Sequence, residues 1–339
     1  MHWVPIVLHA INVVLVYLLA RKLSGSRFGA VVASIVYGVS HIVFFDVFTL
    51  TGLVDQVFLL FSLGSIYLFL NKIVGWSWIL FILAMFSKES FVSVLLVITY
   101  FLWRKRSNWK YWAMYWGPTV IYFVLKLMLY RQQGEAYSYV MSWETLGKNL
   151  FDYGLWIINW RHGWQMGMPY EPHRYYDLVS LLFAGLIGVS AWNVWRKKRE
   201  LFWLSLWWGA VGLIPFYFLG RALPFYLEFS LIGTCLMLAG GKSEKWLIAG
   251  LAIYMSLTTR AQWVTNSFSA RGVQAAEKFR DQVVLRYDWN KYDTLCLTGM
   301  GEYELWATGV GKLVNMMGNK VEVKINEKCE GARELEVHL

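Results

Sequence analysis

Thr51 to Lys72 reads TGLVDQVFLLFSLGSIYLFLNK. A Thr-Gly turn and Asp55 open it, an apolar run carries on to Leu70, and Asn71-Lys72 close it. Such a run has the length that the hydrocarbon core of a bilayer demands, roughly 17–25 residues. Its ends differ in sign, acidic at one and basic at the other, so it predicts a spanning helix with a definite direction.

Outward from it the same pattern repeats. Runs at 3–20, 28–46, 53–70, 75–87, 89–103, 110–130, 174–195, 201–219, 225–240 and 246–258 give ten candidate spans. The composition agrees, with 57% hydrophobic and 16% charged residues and mean hydropathy +0.41, where a soluble chain carries about a quarter charged residues. Many of the 61 aromatic residues (Trp 20, Tyr 20, Phe 21) sit at the ends of the runs, as an interfacial belt requires. The first run lacks a basic leader and a small-residue cleavage site, so no cleavable signal is read there.

The fold class that follows is an all-α polytopic membrane protein of about ten transmembrane helices, with a small C-terminal extracytoplasmic α/β domain. Residues 1–259 form the membrane domain and 260–339 the outer one. Alternate connections are basic: Arg21, Lys22 and Arg27; Lys72; Arg104, Lys105, Arg106 and Lys110; Arg196, Lys197, Lys198 and Arg199; Lys242 and Lys245. They share one side if all ten spans are real, and the excess of lysine and arginine makes it cytoplasmic. This predicts a multi-pass protein of the plasma membrane. The net charge of +10 does not point to nucleic acid, because from Arg260 onward 11 basic residues balance 11 acidic ones.

The opposite side receives Asp46, Asp55, Lys88-Glu89, the segment 131–173, Arg221 and the tail. Residues 144–160 predict an amphipathic helix at the interface. In the tail, 270–285 and 302–317 predict helices, and 292–298, 321–325 and 334–339 strands. Cys296 and Cys329 could pair only in an oxidising compartment, and the reading leaves them unpaired.

Carboxylates near membrane depth are costly and usually face a cavity or a partner. Asp46 and Asp55 flank one turn and are either a helix cap and a solvated loop end, or the ligands of a divalent cation, or a general base. Magnesium or manganese is the cofactor such a pair would hold. Lys88-Glu89 is either a charged hairpin tip or a phosphate ligand beside an orienting carboxylate. Arg221 is a second phosphate candidate or a snorkelling side chain. Arg161 and His162 either contact substrate or belong to an aromatic anchor. His9 and Asn12 share a face of the first span and are read as interhelical hydrogen-bonding groups.

These residues resemble the GT-C membrane glycosyltransferases, such as the protein O-mannosyltransferases and aminoarabinose-transferase-like enzymes. His9-Ala-Ile-Asn12 through Arg21-Lys-Leu is similar to their second span. Tyr37 to Asp55, ending Thr51-Gly-Leu-Val-Asp55, resembles their H-P-x-H-x-E…G-R-x-D region. Phe86-Ser87-Lys88-Glu89-Ser90 resembles S-K-E-[ST], and Arg221 to Gly233 resembles R-Y-x-x-P…G. The resemblance covers about 1–240. Departures are Ile42 where the family has proline, Leu53 or Val54 where it has arginine, and Asp46 one place from its glutamate.

The resemblance implies transfer of a sugar from a polyprenyl-phosphate donor to a lipid, glycan or protein acceptor at the outer face. Lys88 and Arg221 would hold the lipid phosphate, Asp55, Glu89 and Asp46 would be catalytic, and His41, Arg161 and His162 would touch substrate. The family carries its principal catalytic acid in a loop before the His9-x-x-Asn12 helix, a segment expected to be missing here, so the chain alone is expected to be inactive. Other classes that fit are a surface-polysaccharide ligase or polymerase, a transporter or flippase, and a non-catalytic membrane subunit.

Overall fold

The structure, a computed structural model, describes residues 3–48, 52–104, 106, 109–129, 139–158, 174–220, 222–241, 244–281, 285–286, 294–298, 322–325 and 334–338. Two compact units divide it: Met1–Gly163 with Glu171–Ala261, and Trp164–Tyr170 with Gln262–Leu339.

The first unit is helical: α1 (Trp3–Ser24), α2 (Arg27–Gly38), α3 (His41–Phe48), α4 (Leu53–Leu70), α5 (Val74–Ser87), α6 (Phe91–Arg104), α7 (Trp109–Leu129), α8 (Trp143–Ile157), α9 (Arg174–Lys197), α10 (Arg199–Gly212), α11 (Glu228–Ala239) and the start of α12 (Glu244–Phe279). Among the described residues, three helices are long and apolar enough to cross a membrane: Trp3–Ser24, Leu53–Leu70 and Leu178–Lys197. Arg27–Gly38, Val74–Ser87, Phe91–Arg104 and Glu228–Ala239 are apolar but shorter. The molecule is thus mostly helical, with helices compatible with a membrane.

Local chemistry sets the boundaries. Ser26 caps α2 through Gly29 N (2.9 Å), and Ser142 caps α8 through Thr145 N (3.0 Å), each satisfying an orphan amide of the first turn. Gly25 turns the chain between α1 and α2 at φ +70°, where only glycine sits without strain. Pro215 ends α10 early and a 3₁₀ turn, Ile214–Phe216, follows, so the run expected at 201–219 stops as a helix at Gly212.

Two other runs differ from expectation. The span expected at 28–46 is two helices, broken at Val39-Ser40. The helix expected at 246–258 continues to Phe279, and the unit boundary falls inside it.

α1 packs on α2 and α4, α4 on α5, and α11 on α2 and α10. Close approach needs glycine between helices: a Cβ on Gly29 would lie 2.2 Å from Ala239 O, and one on Gly233 would lie 2.5 Å from Ser205 O. Serines stitch α4 to α5, with Ser65 Oγ donating to Ser77 O and Ser77 Oγ to Ser65 O, both at 2.8 Å. In an apolar surround such bonds add to close packing.

The second unit holds a three-stranded parallel sheet, ordered β2 (Glu322–Ile325), β1 (Thr294–Thr298), β3 (Glu334–His338). Leu295, Cys296 and Leu297 are fully buried on the central strand, as parallel sheets covered on both faces require. Cys296 is disulfide-bonded, whereas the sequence reading left it unpaired; Cys329 lies outside the described residues. The helix expected at 302–317 also lies outside them.

Candidate functional site

The break between α2 and α3 builds one wall of the site. His9 Nε2 donates to the carbonyl of Gly38 (2.9 Å), an orphan acceptor at the helix end. Ser40 Oγ accepts from Ile42 N (3.3 Å) and from Tyr254 OH (2.8 Å). The chain therefore restarts as α3 with His41 buried at its first turn.

Asp55 sits in the first turn of α4, where the helix dipole favours a carboxylate. It forms an ion pair with Lys88, the residue that ends α5. Both side chains are mostly buried, 14% exposed for Asp55 and 18% for Lys88. The Lys88 ammonium also lies 5.9 Å from the ring centre of Tyr226, within reach of a cation–π attraction. Tyr226 stacks on Phe216 at 4.2 Å. Glu89, next in the chain, is exposed and accepts from Lys126 near the end of α7 (3.1 Å). Burial would push its carboxyl up, but a backbone hydrogen bond, Lys126 and the charge of Lys88 together hold it below the ordinary glutamate value. At neutral pH Glu89 is thus a charge or a base, not a proton donor.

The amphipathic helix expected at 144–160 is α8, and it is fastened beside this site. Asn149 Nδ2 donates to the carbonyls of Tyr217 (3.0 Å) and Leu219 (2.9 Å). Val140 N donates to Phe218 O (2.8 Å). These bonds hold the 139–158 segment against the loop that leads into Tyr226.

The basic turns meet at the other ends of these helices. Lys22 Nζ donates to Asn71 Oδ1 (2.8 Å), Lys198 Nζ to Ser24 O (2.5 Å), and Arg104 pairs with Glu200. These three contacts tie the ends of α1, α4 and α6 to the α9–α10 turn.

Of the expected site residues, the structure joins Asp55 to Lys88, pairs Glu89 with Lys126 and buries His41. The side chain of Asp46, on α3, is outside the described residues, as are Arg161, His162 and Arg221. The described donors around Asp55 do not make a divalent-cation site: Lys88 takes up the carboxylate, and its ammonium would repel a dication. Among the described residues no three His, Cys, Asp or Glu side chains converge on one point.

Sequence reasoning missed a polar chain directly beneath. Gln56 Nε2 donates to Glu228 Oε1 (2.7 Å), Tyr37 OH reaches the same oxygen (3.4 Å), and Asn12 Nδ2 donates to Gln56 Oε1 (3.1 Å) and Gln56 O (3.0 Å). Glu228 and Gln56 are 3% and 0% exposed. The signal that could have found Glu228 is a lone carboxylate inside the run 225–240. Asn12 plays the interhelical part expected of it.

No family model, no curated protein and no solved structure matches the chain.

Proposed function

We propose that the chain belongs to a membrane glycosyltransferase that moves a sugar from a polyprenyl-phosphate donor to an acceptor at the extracytoplasmic face. On this reading about ten helices span the membrane, and the C-terminal unit is an outer α/β domain. The disulfide at Cys296 supports an oxidising location for that domain. The observation that carries the proposal is the joining of Asp55 and Lys88, with Glu89 adjacent, at the ends of α4 and α5 remote from the basic turns.

An ammonium has three donors, so Lys88 can hold Asp55 and a phosphate oxygen at once. Asp55 would fix the position of Nζ, and Tyr226 would wall the ammonium from lipid. Charge that builds on the departing lipid phosphate would be met by a cation already in place. Glu89, kept ionised, would take the proton of the acceptor hydroxyl or amine as that oxygen or nitrogen attacks the anomeric carbon. Arg221 would share the phosphate, and His41 would border the sugar.

The test is transfer from a synthetic polyprenyl-phosphate sugar in membranes of cells expressing the natural protein. Glu89→Gln is expected to cut transfer by about 10²–10⁴-fold with normal expression, and Lys88→Ala to abolish donor use. Unchanged transfer in both variants, or loss of substrate uptake with transfer intact, would overturn the proposal.

A further inference from the structure

At the basic end, a cavity of about 350 Å³ opens between the end of α6 and the start of α7, lined by Leu102, Trp103, Arg104, Arg106 and Trp112. That size is within the range of small-molecule sites, roughly 300–1,000 Å³. Its floor is apolar, since Leu102 is 1% exposed. Its lining is also aromatic: Trp103, 67% exposed, and Trp112 present indoles there, as at headgroup level. Arg104 shares its charge with Glu200. Arg106 forms no ion pair with the described residues, and its backbone lies at φ +46°. A left-handed arginine in a tight turn is strained and persists where the surroundings over-determine it.

We propose that this cavity binds the phosphate of an anionic phospholipid, with Arg106 as its main ligand and Arg104 exchanging between that phosphate and Glu200. Guanidinium forks match phosphate oxygens two at a time. Basic pockets between spanning helices on the cytoplasmic side are where such headgroups bind. Free phosphate would use the arginines but gain nothing from the indoles and the Leu102 floor, so a lipid fits the whole cavity and a free ion only half of it.

Native mass spectrometry of the purified chain with equal amounts of phosphatidylglycerol or phosphatidylcholine tests this. Phosphatidylglycerol is expected to be retained in preference, and Arg106→Gly to weaken it about fivefold. Glycine is at home at positive φ, so that variant should not lower the Tm and loss of fold cannot explain the result. Glu200→Gln, by releasing Arg104, should strengthen binding by a similar factor. Equal retention of the two lipids, unchanged binding in Arg106→Gly, or displacement of the lipid by millimolar inorganic phosphate would each overturn the proposal.

Discussion

Replacing Lys88 by methionine leaves the Asp55 carboxylate with 14% exposure and no ammonium beside it. Breaking a largely buried pair from one side costs about 1–3 kcal/mol, because one charge stays desolvated. Lys88→Met should therefore lower the Tm in detergent, and adding Asp55→Asn should restore much of the loss. Simple addition of the two losses would show that the residues do not interact. Glu89 behaves differently. Its carboxyl is held below 4.5, so its contribution to stability is in force above that value and fades as pH falls through the folded one. Water screens this exposed pair, so the effect is small. The Tm difference between wild type and Glu89→Gln should be constant from about pH 8 to 5 and vanish on further acidification. Lys88 and Glu89 were legible because charges interrupt an apolar stretch. Glu228 interrupts the run 225–240 in the same way, but its pairing was not legible, since Gln56 is 172 positions away and nothing local announces it.

The helices themselves were legible from hydropathy, and their starts and stops were not always so. α4 and α5 match the expected runs within a residue, because apolar length alone sets them. The break at Val39-Ser40 depends on His9 and Tyr254 reaching it from other helices, so no local pattern marks it. The same limit hides close packing: Gly233 reads as any small residue until α10 is laid against it. Gly233→Val would push a branched side chain into Ser205 and Gly209. Overpacking of that kind costs about 1–3 kcal/mol, and urea or thermal unfolding in detergent should register it. Gly75→Ala, where a Cβ meets nothing within 4 Å, is the control and should be neutral or slightly stabilising. A larger loss at Gly75 than at Gly233 would mean the α10–α11 contact is not as described.

At the scale of the molecule, parity of crossings was the argument from sequence, and the side-chain contacts group some of the same residues. Lys22–Asn71, Lys198–Ser24 and Arg104–Glu200 gather basic turns at one end. Asp55–Lys88 and Glu89–Lys126 gather at the ends remote from them. On the proposed reading, in which these helices cross a membrane, the two groups face different compartments. Cysteine labelling tests that, read as the gain over the unsubstituted chain, in which Cys235 is fully buried and Cys296 is bonded. Val54→Cys, at a position 50% exposed beside Asp55, should react in intact cells with a maleimide that cannot cross membranes. Arg21→Cys, at an exposed position among the basic turns, should react only after permeabilisation. If both positions react from the same side, charge parity and hydropathy have been matched to the wrong set of spans, and if that side is the inner one, a phosphate-binding lysine could not share a compartment with an outer acceptor.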